Sequence, residues 1–219
     1  MLAPRMIGDG VRSRFVSGQG FPCFVSVEQD GTGRGWATAL GLAKGIGALQ
    51  PAGAGGCVES SVREETLMDL FAEQAVWPQI IAVFREAYSV LRGRGCSDEA
   101  LCHELWMSGE AAEVFLRMAE VGFVRQLVLH SSVSQYGQLS TAAEVDVRAM
   151  RGEFERVADR RILGGGFARE FGALSEGDGG DGSGRGVRRR LEELYRDAEG
   201  SELAVGERRV RERLGLKTD

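Results

Sequence analysis

Apolar residues recur at helical spacing through most of this chain, and strand-like patterning is confined to its start. Met1-Leu-Ala-Pro-Arg-Met-Ile-Gly8 is an apolar stub running into a glycine turn. Phe21 to Val27 is a short β-type run, and Glu28 to Gly33 turns the chain. Trp36, Ala39, Leu40 and Ala43 then share one helix face, which Gly45 and Gly47 terminate. The strongest helical signal covers Ser61 to Leu91, with Leu67, Leu70, Phe71, Gln74 and Ala75 on one side. Ser61 and Glu64 form a capping box at its start. Pro78 removes one backbone donor and should kink or split the helix. Ser97 caps the next helix, and Asp98 and Glu99 favour its positive end. That helix runs to about Val121 with a break near Ser108-Gly109. Phe123 to Leu129 reads as helical, His130 to Ser140 as a polar loop, and Ala142 to Arg160 as helix. Val187 to Asp219 is a charged amphipathic helix or pair of helices, with Leu214 and Leu216 placed to dock its end on the core. The fold class is mostly α, without internal repeats.

Composition narrows the partners. The chain has 219 residues, room for a medium domain with a real core, and a net charge of −5 that argues against nucleic acid. No run of eighteen apolar residues and no signal peptide is visible, so neither a membrane span nor a targeting segment is expected. The default is a reducing, cytoplasmic setting. The four cysteines form no C-x-x-C pair and read as thiols rather than bridges or zinc ligands. Glycines crowd 31–56 and 176–186, and the second stretch reads as a flexible insert.

Few residues carry chemistry by spacing alone. Asp69 and Glu73 lie four apart, one turn on the same helix side, and two such carboxylates suit Mg²⁺ or its waters. The plainer reading is a solvated acidic face. Glu104 on the next helix, followed by Ser108, Glu110 and Glu113, could add a third carboxylate. His103 lacks an H-E-x-x-H context, and His130 beside Ser131 and Ser132 is a poor Ser–His pair, because adjacent residues rarely face one another. Gly31-Thr-Gly33-Arg-Gly35-Trp36 falls short of a dinucleotide fingerprint and reads as a turn. Arg188 to Arg190 reads as a solvated helix start.

Several segments, in order, resemble ketol-acid reductoisomerase. They are Leu2-Ala-Pro-Arg5, Ser26-Val-Glu-Gln-Asp30, Ala43-Lys-Gly-Ile-Gly47, Met118-Ala-Glu-Val-Gly122, Ser131 to Gly137 and Gly166-Phe-Ala-Arg-Glu-Phe171. The specific one is Arg63-Glu-Glu-Thr-Leu-Met-Asp-Leu-Phe-Ala-Glu-Gln74. The resemblance implies a knotted, 6-phosphogluconate dehydrogenase-like helical C-terminal domain, preceded by a short remnant of an α/β domain. Its divisions would be 1–30 for the remnant, 31–172 for the metal and substrate domain, 173–186 for the insert and 187–219 for charged terminal helices.

The family converts 2-acetolactate by an alkyl shift and a hydride reduction, in branched-chain amino-acid synthesis. It uses two Mg²⁺ ions, often at a dimer interface, and NADPH held by an N-terminal Rossmann domain. The resemblance makes Asp69, Glu73 and Glu104 metal ligands, and Glu73, Glu104, Ser131 and Arg5 the catalytic set. A homodimer and a small 2-hydroxy-keto acid substrate are implied. The family is cytoplasmic in bacteria and organellar in eukaryotes. Three departures stand out. Ser108 replaces an acid, Arg5 replaces a lysine with a differently shaped donor, and Glu28 replaces a histidine. The chain also begins where the family's Rossmann domain ends, so no cofactor-binding residue is expected in it, and it reads as a fragment unlikely to complete the reaction alone. The alternative is a helical dimerisation module that kept the fold and lost the reaction.

Overall fold

The computed structural model describes residues 1–49, 56–176 and 184–217. The chain divides into two compact units, Met1–Leu70 and Phe71–Asp219.

The first unit is built on a three-stranded sheet. Strands β1 (Leu2–Pro4), β2 (Cys23–Val25) and β3 (Cys57–Glu59) lie in that order. β1 pairs antiparallel with β2, and β3 pairs parallel with it. The stub is thus a half-buried strand that bonds its polar backbone to β2. Helices α1 (Gly8–Ser17) and α2 (Gly35–Gly45) follow β1 and β2. Ala43 and Ala48 pack on Phe21 and Cys23, and Leu2, Met6 and Ile46 close over them. The glycine-rich turn before α2 is an Asp30 turn. Its carboxylate accepts from the Thr32 N–H at 3.1 Å and the Gly35 N–H at 2.8 Å. A side chain at Gly35 would meet Val27 and Asp30 at under 3 Å, so the turn requires glycine there. Helix α3 (Val62–Phe71) starts on Ser61, whose hydroxyl accepts from the Glu64 N–H at 3.1 Å. The return half of the expected capping box is changed: the Glu64 carboxylate accepts from the Ser60 hydroxyl instead.

The second unit is helical among the described residues. A π-helical turn at Ala72–Val76 precedes α4 (Trp77–Arg92). Pro78 sits in the first turn of α4, and the Trp77 N–H bonds five residues back to Ala72. The proline lacks a donor, and the extra residue of the π turn absorbs the mismatch in bonding. Next come α5 (Asp98–Cys102), a second π turn (His103–Met107) and α6 (Glu110–Val121). Gly109, at φ 84°, makes the expected break. A 3₁₀ turn (Arg125–Leu129) leads to α7 (Ser132–Ala142). α8 (Arg148–Arg156), a third π turn (Val157–Leu163) and α9 (Gly166–Glu176) follow. The terminal pair is α10 (Arg185–Glu199) and α11 (Glu202–Arg213).

Three expectations need correction. Of the stretch His130 to Ser140, all from Ser132 onward is helix. Ser131 caps it, and side chains close local bonds such as Ser140 to the Tyr136 carbonyl at 2.7 Å. Serine-rich sequence hides such a helix, because the same hydroxyls that cap it also favour turns. Helix after Ala142 resumes only at Arg148, where Asp146 accepts from the Arg148 N–H at 3.0 Å. Leu214 and Leu216 remain exposed. The terminal helix docks through Leu203 and Val210, which join Tyr88, Leu101, Cys102 and Trp106 in the unit's core. Of the glycine-rich insert, residues 177–183 lie outside the described residues.

Candidate metal and substrate site

Arg5 follows β1 and is fixed at both ends. Its N–H donates to the Pro22 carbonyl at 2.8 Å, and its guanidinium lies 5.0 Å from the Phe24 ring centroid. From there it reaches α3, donating to Asp69 at 2.8 Å with Glu65 at 3.4 Å. Two residues distant in sequence and both expected in the site are thus brought together. The side chains are 26% and 42% exposed, so water screens the pair and its worth is modest. Glu28, where a histidine was expected, accepts from the Val62 N–H at 3.0 Å and ties down the start of α3. That backbone donor is the main reason its carboxyl titrates below the ordinary range.

Glu73 and Glu104 share a feature that helical spacing did not reveal. Each lies on a π turn, Ala72–Val76 and His103–Met107 respectively. A π turn inserts one extra residue, rotating the side chains that follow, and such turns recur at functional sites. Both glutamates are exposed. Gln74, beside Glu73, is held through its amide oxygen by Arg161 at 3.2 Å, while its amide nitrogen is buried without a partner. Arg161 is itself held by Glu170 at 3.1 Å.

Ser131 is the N-cap of α7. Its oxygen accepts from the Ser134 N–H at 3.3 Å, which leaves the hydroxyl proton available at the helix start. His130 pairs with Gln126 at 3.0 Å and not with a serine, so no Ser–His nucleophile forms. Ser108 also acts locally: its oxygen accepts from the Glu110 N–H at 3.3 Å. Glu110 lines a cavity of about 460 Å³ with Glu113, Arg117, Gln126 and His130.

The donors fit Mg²⁺ in kind, since carboxylate oxygens are hard ligands and Glu73 and Glu104 are open to solvent. Asp69 is already engaged by Arg5, and among the described residues no three His, Cys, Asp or Glu side chains converge.

The order of these elements matches known proteins. Residues 62–215 match the model of the ketol-acid reductoisomerase C-terminal domain. The chain belongs to the ketol-acid reductoisomerase family. Residues 1–53 match the model of the NADPH-binding domain of acetohydroxy acid isomeroreductase. A Saccharolobus solfataricus relative bearing the family's name is 40% identical over 141 residues, 64% of this chain and 42% of that protein. A ketol-acid reductoisomerase (NADP(+)) of Kineococcus radiotolerans is 34% identical over 206 residues, covering 93% of this chain and 57% of its own length. The solved NADH-preferring ketol-acid reductoisomerase from an uncultured archaeon superposes with a TM-score of 0.76 at 22% identity, over 100% of this chain and 61% of that one, and shows the same fold. The chain spans about half the length of the curated relatives it matches. No described helix is long and apolar enough to cross a membrane.

Proposed function

We propose that this chain forms the metal- and substrate-binding part of a ketol-acid reductoisomerase acting on a small 2-hydroxy-keto acid such as 2-acetolactate. The supporting observation is the family match over 62–215, in which the candidate acids Asp69, Glu73 and Glu104 and the capping Ser131 all fall. That match favours the enzyme reading over a dimerisation module. Asp69, Glu73 and Glu104 would hold Mg²⁺, which supplies Lewis acidity to a substrate carbonyl. NADPH would supply the hydride, and the family match at 1–53 supports that cofactor. The chain's own residues orient and exchange protons. The Ser131 hydroxyl, its oxygen held at a helix start, donates to a substrate oxygen. Arg5 balances the charge of Asp69 until a cation takes that role. Glu104 is the acid placed to move a proton, because Ser108 cannot.

A second copy of the chain is proposed to complete the site. Phe123, Val124, Val133 and Tyr136 are each more than 60% exposed, an apolar surface that suits burial against another copy. Titration of Mg²⁺ into the chain by calorimetry tests the metal reading. Binding should appear and be lost in Asp69→Asn. No heat from the unaltered chain would end that reading. Sedimentation equilibrium tests the dimer, which a concentration-independent monomer would rule out.

A further inference from the structure

Two of the four cysteines face each other across the sheet. Cys23 on β2 and Cys57 on β3 are direct partners in the parallel register. Paired residues on neighbouring strands have Cα atoms roughly 5 Å apart. A disulfide needs about 4.4–6.8 Å, so the backbones already satisfy its spacing. Both thiols are free. Cys23 donates weakly to the Phe24 carbonyl at 3.2 Å and Cys57 to the Ala48 carbonyl at 3.7 Å. Neither bond would hold a thiol against covalent pairing, since S–H is a poor donor.

We propose that Cys23 and Cys57 form a reversible intrachain disulfide, a redox staple between the central strand and the strand that leads into the Asp69 helix. The oxidant class is a small-molecule disulfide such as glutathione disulfide. The two thiols have unequal roles. Cys57 is half-buried, whereas Cys23 is only 1% exposed. The Cys57 thiolate attacks one sulfur of glutathione disulfide, forming a mixed disulfide and expelling one glutathione thiolate. The Cys23 thiolate then attacks the Cys57 sulfur, closing the protein disulfide and expelling the second. The protein gives up two electrons, glutathione disulfide gains them, and the two thiol protons end on two glutathione thiols. Burial pushes both thiols above their ordinary range, while the neighbouring Cys23 thiol works to lower that of Cys57. Exchange is therefore slow at neutral pH, quickens as pH rises, and begins at Cys57.

The staple would act on the candidate site. Cys23 pairs with Pro4, the residue before Arg5, and Cys57 lies on the strand that leads into α3. Closing the bond ties the segments carrying both members of the Arg5–Asp69 pair to one covalent frame.

The experiment uses the full chain with Cys96→Ser, which removes an exposed thiol. The folded protein is incubated with glutathione disulfide at pH 8, alkylated after denaturation, digested and mapped by mass. A Cys23–Cys57 linked peptide, with Cys102 alkylated, is expected. Dithiothreitol should release it. A second variant, Cys23→Ser, should stop at one glutathione on Cys57. The reading is overturned if Cys23 and Cys57 are both found alkylated after oxidation, or if Cys57 is joined to any cysteine other than Cys23. The peptide map of the Cys96→Ser protein decides the matter even if Cys23→Ser does not fold.

Discussion

Tyr88 donates its phenolic proton to Asp98 across 2.6 Å, at the one place where the terminal helix has no side chain. Tyr88 is fully buried, and a Cβ on Gly206 of α11 would stand 1.8 Å from its oxygen. Arg92 donates to the same Asp98 oxygen at 3.0 Å and to Glu202 at 2.6 Å, and Arg209 of α11 lies 3.9 Å from the other Asp98 oxygen, so α4, α5 and α11 meet on one carboxylate. Gly206→Ala should dislodge α11 and cost about 1–3 kcal/mol, the range of overpacking in a filled core. Tyr88→Phe keeps the ring and loses the bond to a charged acceptor, about 1.5–3 kcal/mol. Urea unfolding checks both, and hydrogen exchange over 202–213 should report Gly206→Ala first. Unchanged exchange there would show that α11 is not docked through this contact.

The same cluster sets an acid limit. The Tyr88 hydrogen bond, then the nearby Arg92 charge, hold the Asp98 carboxyl below its ordinary 3.8. A carboxyl whose folded pKa is depressed contributes stability above its unfolded value and loses it as pH falls through the folded one. The contribution is therefore complete above about pH 4 and disappears below it. Asp98→Asn should flatten the fall in urea midpoint as pH drops below the ordinary carboxylate range. A variant as acid-sensitive as the parent would place the limit elsewhere. Tyr88 behaves oppositely, since burial raises its phenol well above 10 and its contribution is lost only in strong base.

Arg5 and a metal ion compete for Asp69. Releasing the carboxylate from a partly exposed pair worth about 0.5–1 kcal/mol should tighten Mg²⁺ binding roughly 2–5-fold in Arg5→Ala. Calorimetry in parallel with Asp69→Asn checks this. Weaker binding in Arg5→Ala would mean that the arginine organises the site rather than blocking it.

Ser131 has two separable tasks. Ser131→Ala removes the cap of α7 and should cost about 1 kcal/mol. Ser131→Asp restores the cap and lacks a hydroxyl to donate. Thermal melts should therefore separate the two variants, while binding of a 2-hydroxy-keto acid analogue should fall in both. Full binding by Ser131→Asp would remove the hydroxyl from substrate recognition.

Much of the local structure was legible. Asp30 and the glycines around it demanded a turn, the helix Gly35–Gly45 followed from one alanine-rich face, and Ser61 and Ser97 capped where they stood. These are local effects, decided by side chains within a few residues of the backbone they serve. The helix Ser132–Ala142 is hidden in the sequence because its residues satisfy turn and helix chemistry alike, and no apolar stripe breaks the tie. The candidate acids were legible only as a motif. Nothing in their spacing revealed the π turns under Glu73 and Glu104, since one extra residue in a helical ring leaves hydrophobic period almost unchanged.

By itself the sequence determined the helical class, the caps and turns, the family motif and the identity of the candidate ligands, because each rests on residues close together along the chain. Tertiary structure alone decided that Arg5 reaches Asp69, that Cys23 faces Cys57, and that α11 docks through Val210 and Gly206 rather than through Leu214 and Leu216. Those pairings join residues far apart in sequence, and their partners are chosen by strand register and by the shape of the packed core. A one-dimensional pattern of hydrophobic positions carries neither.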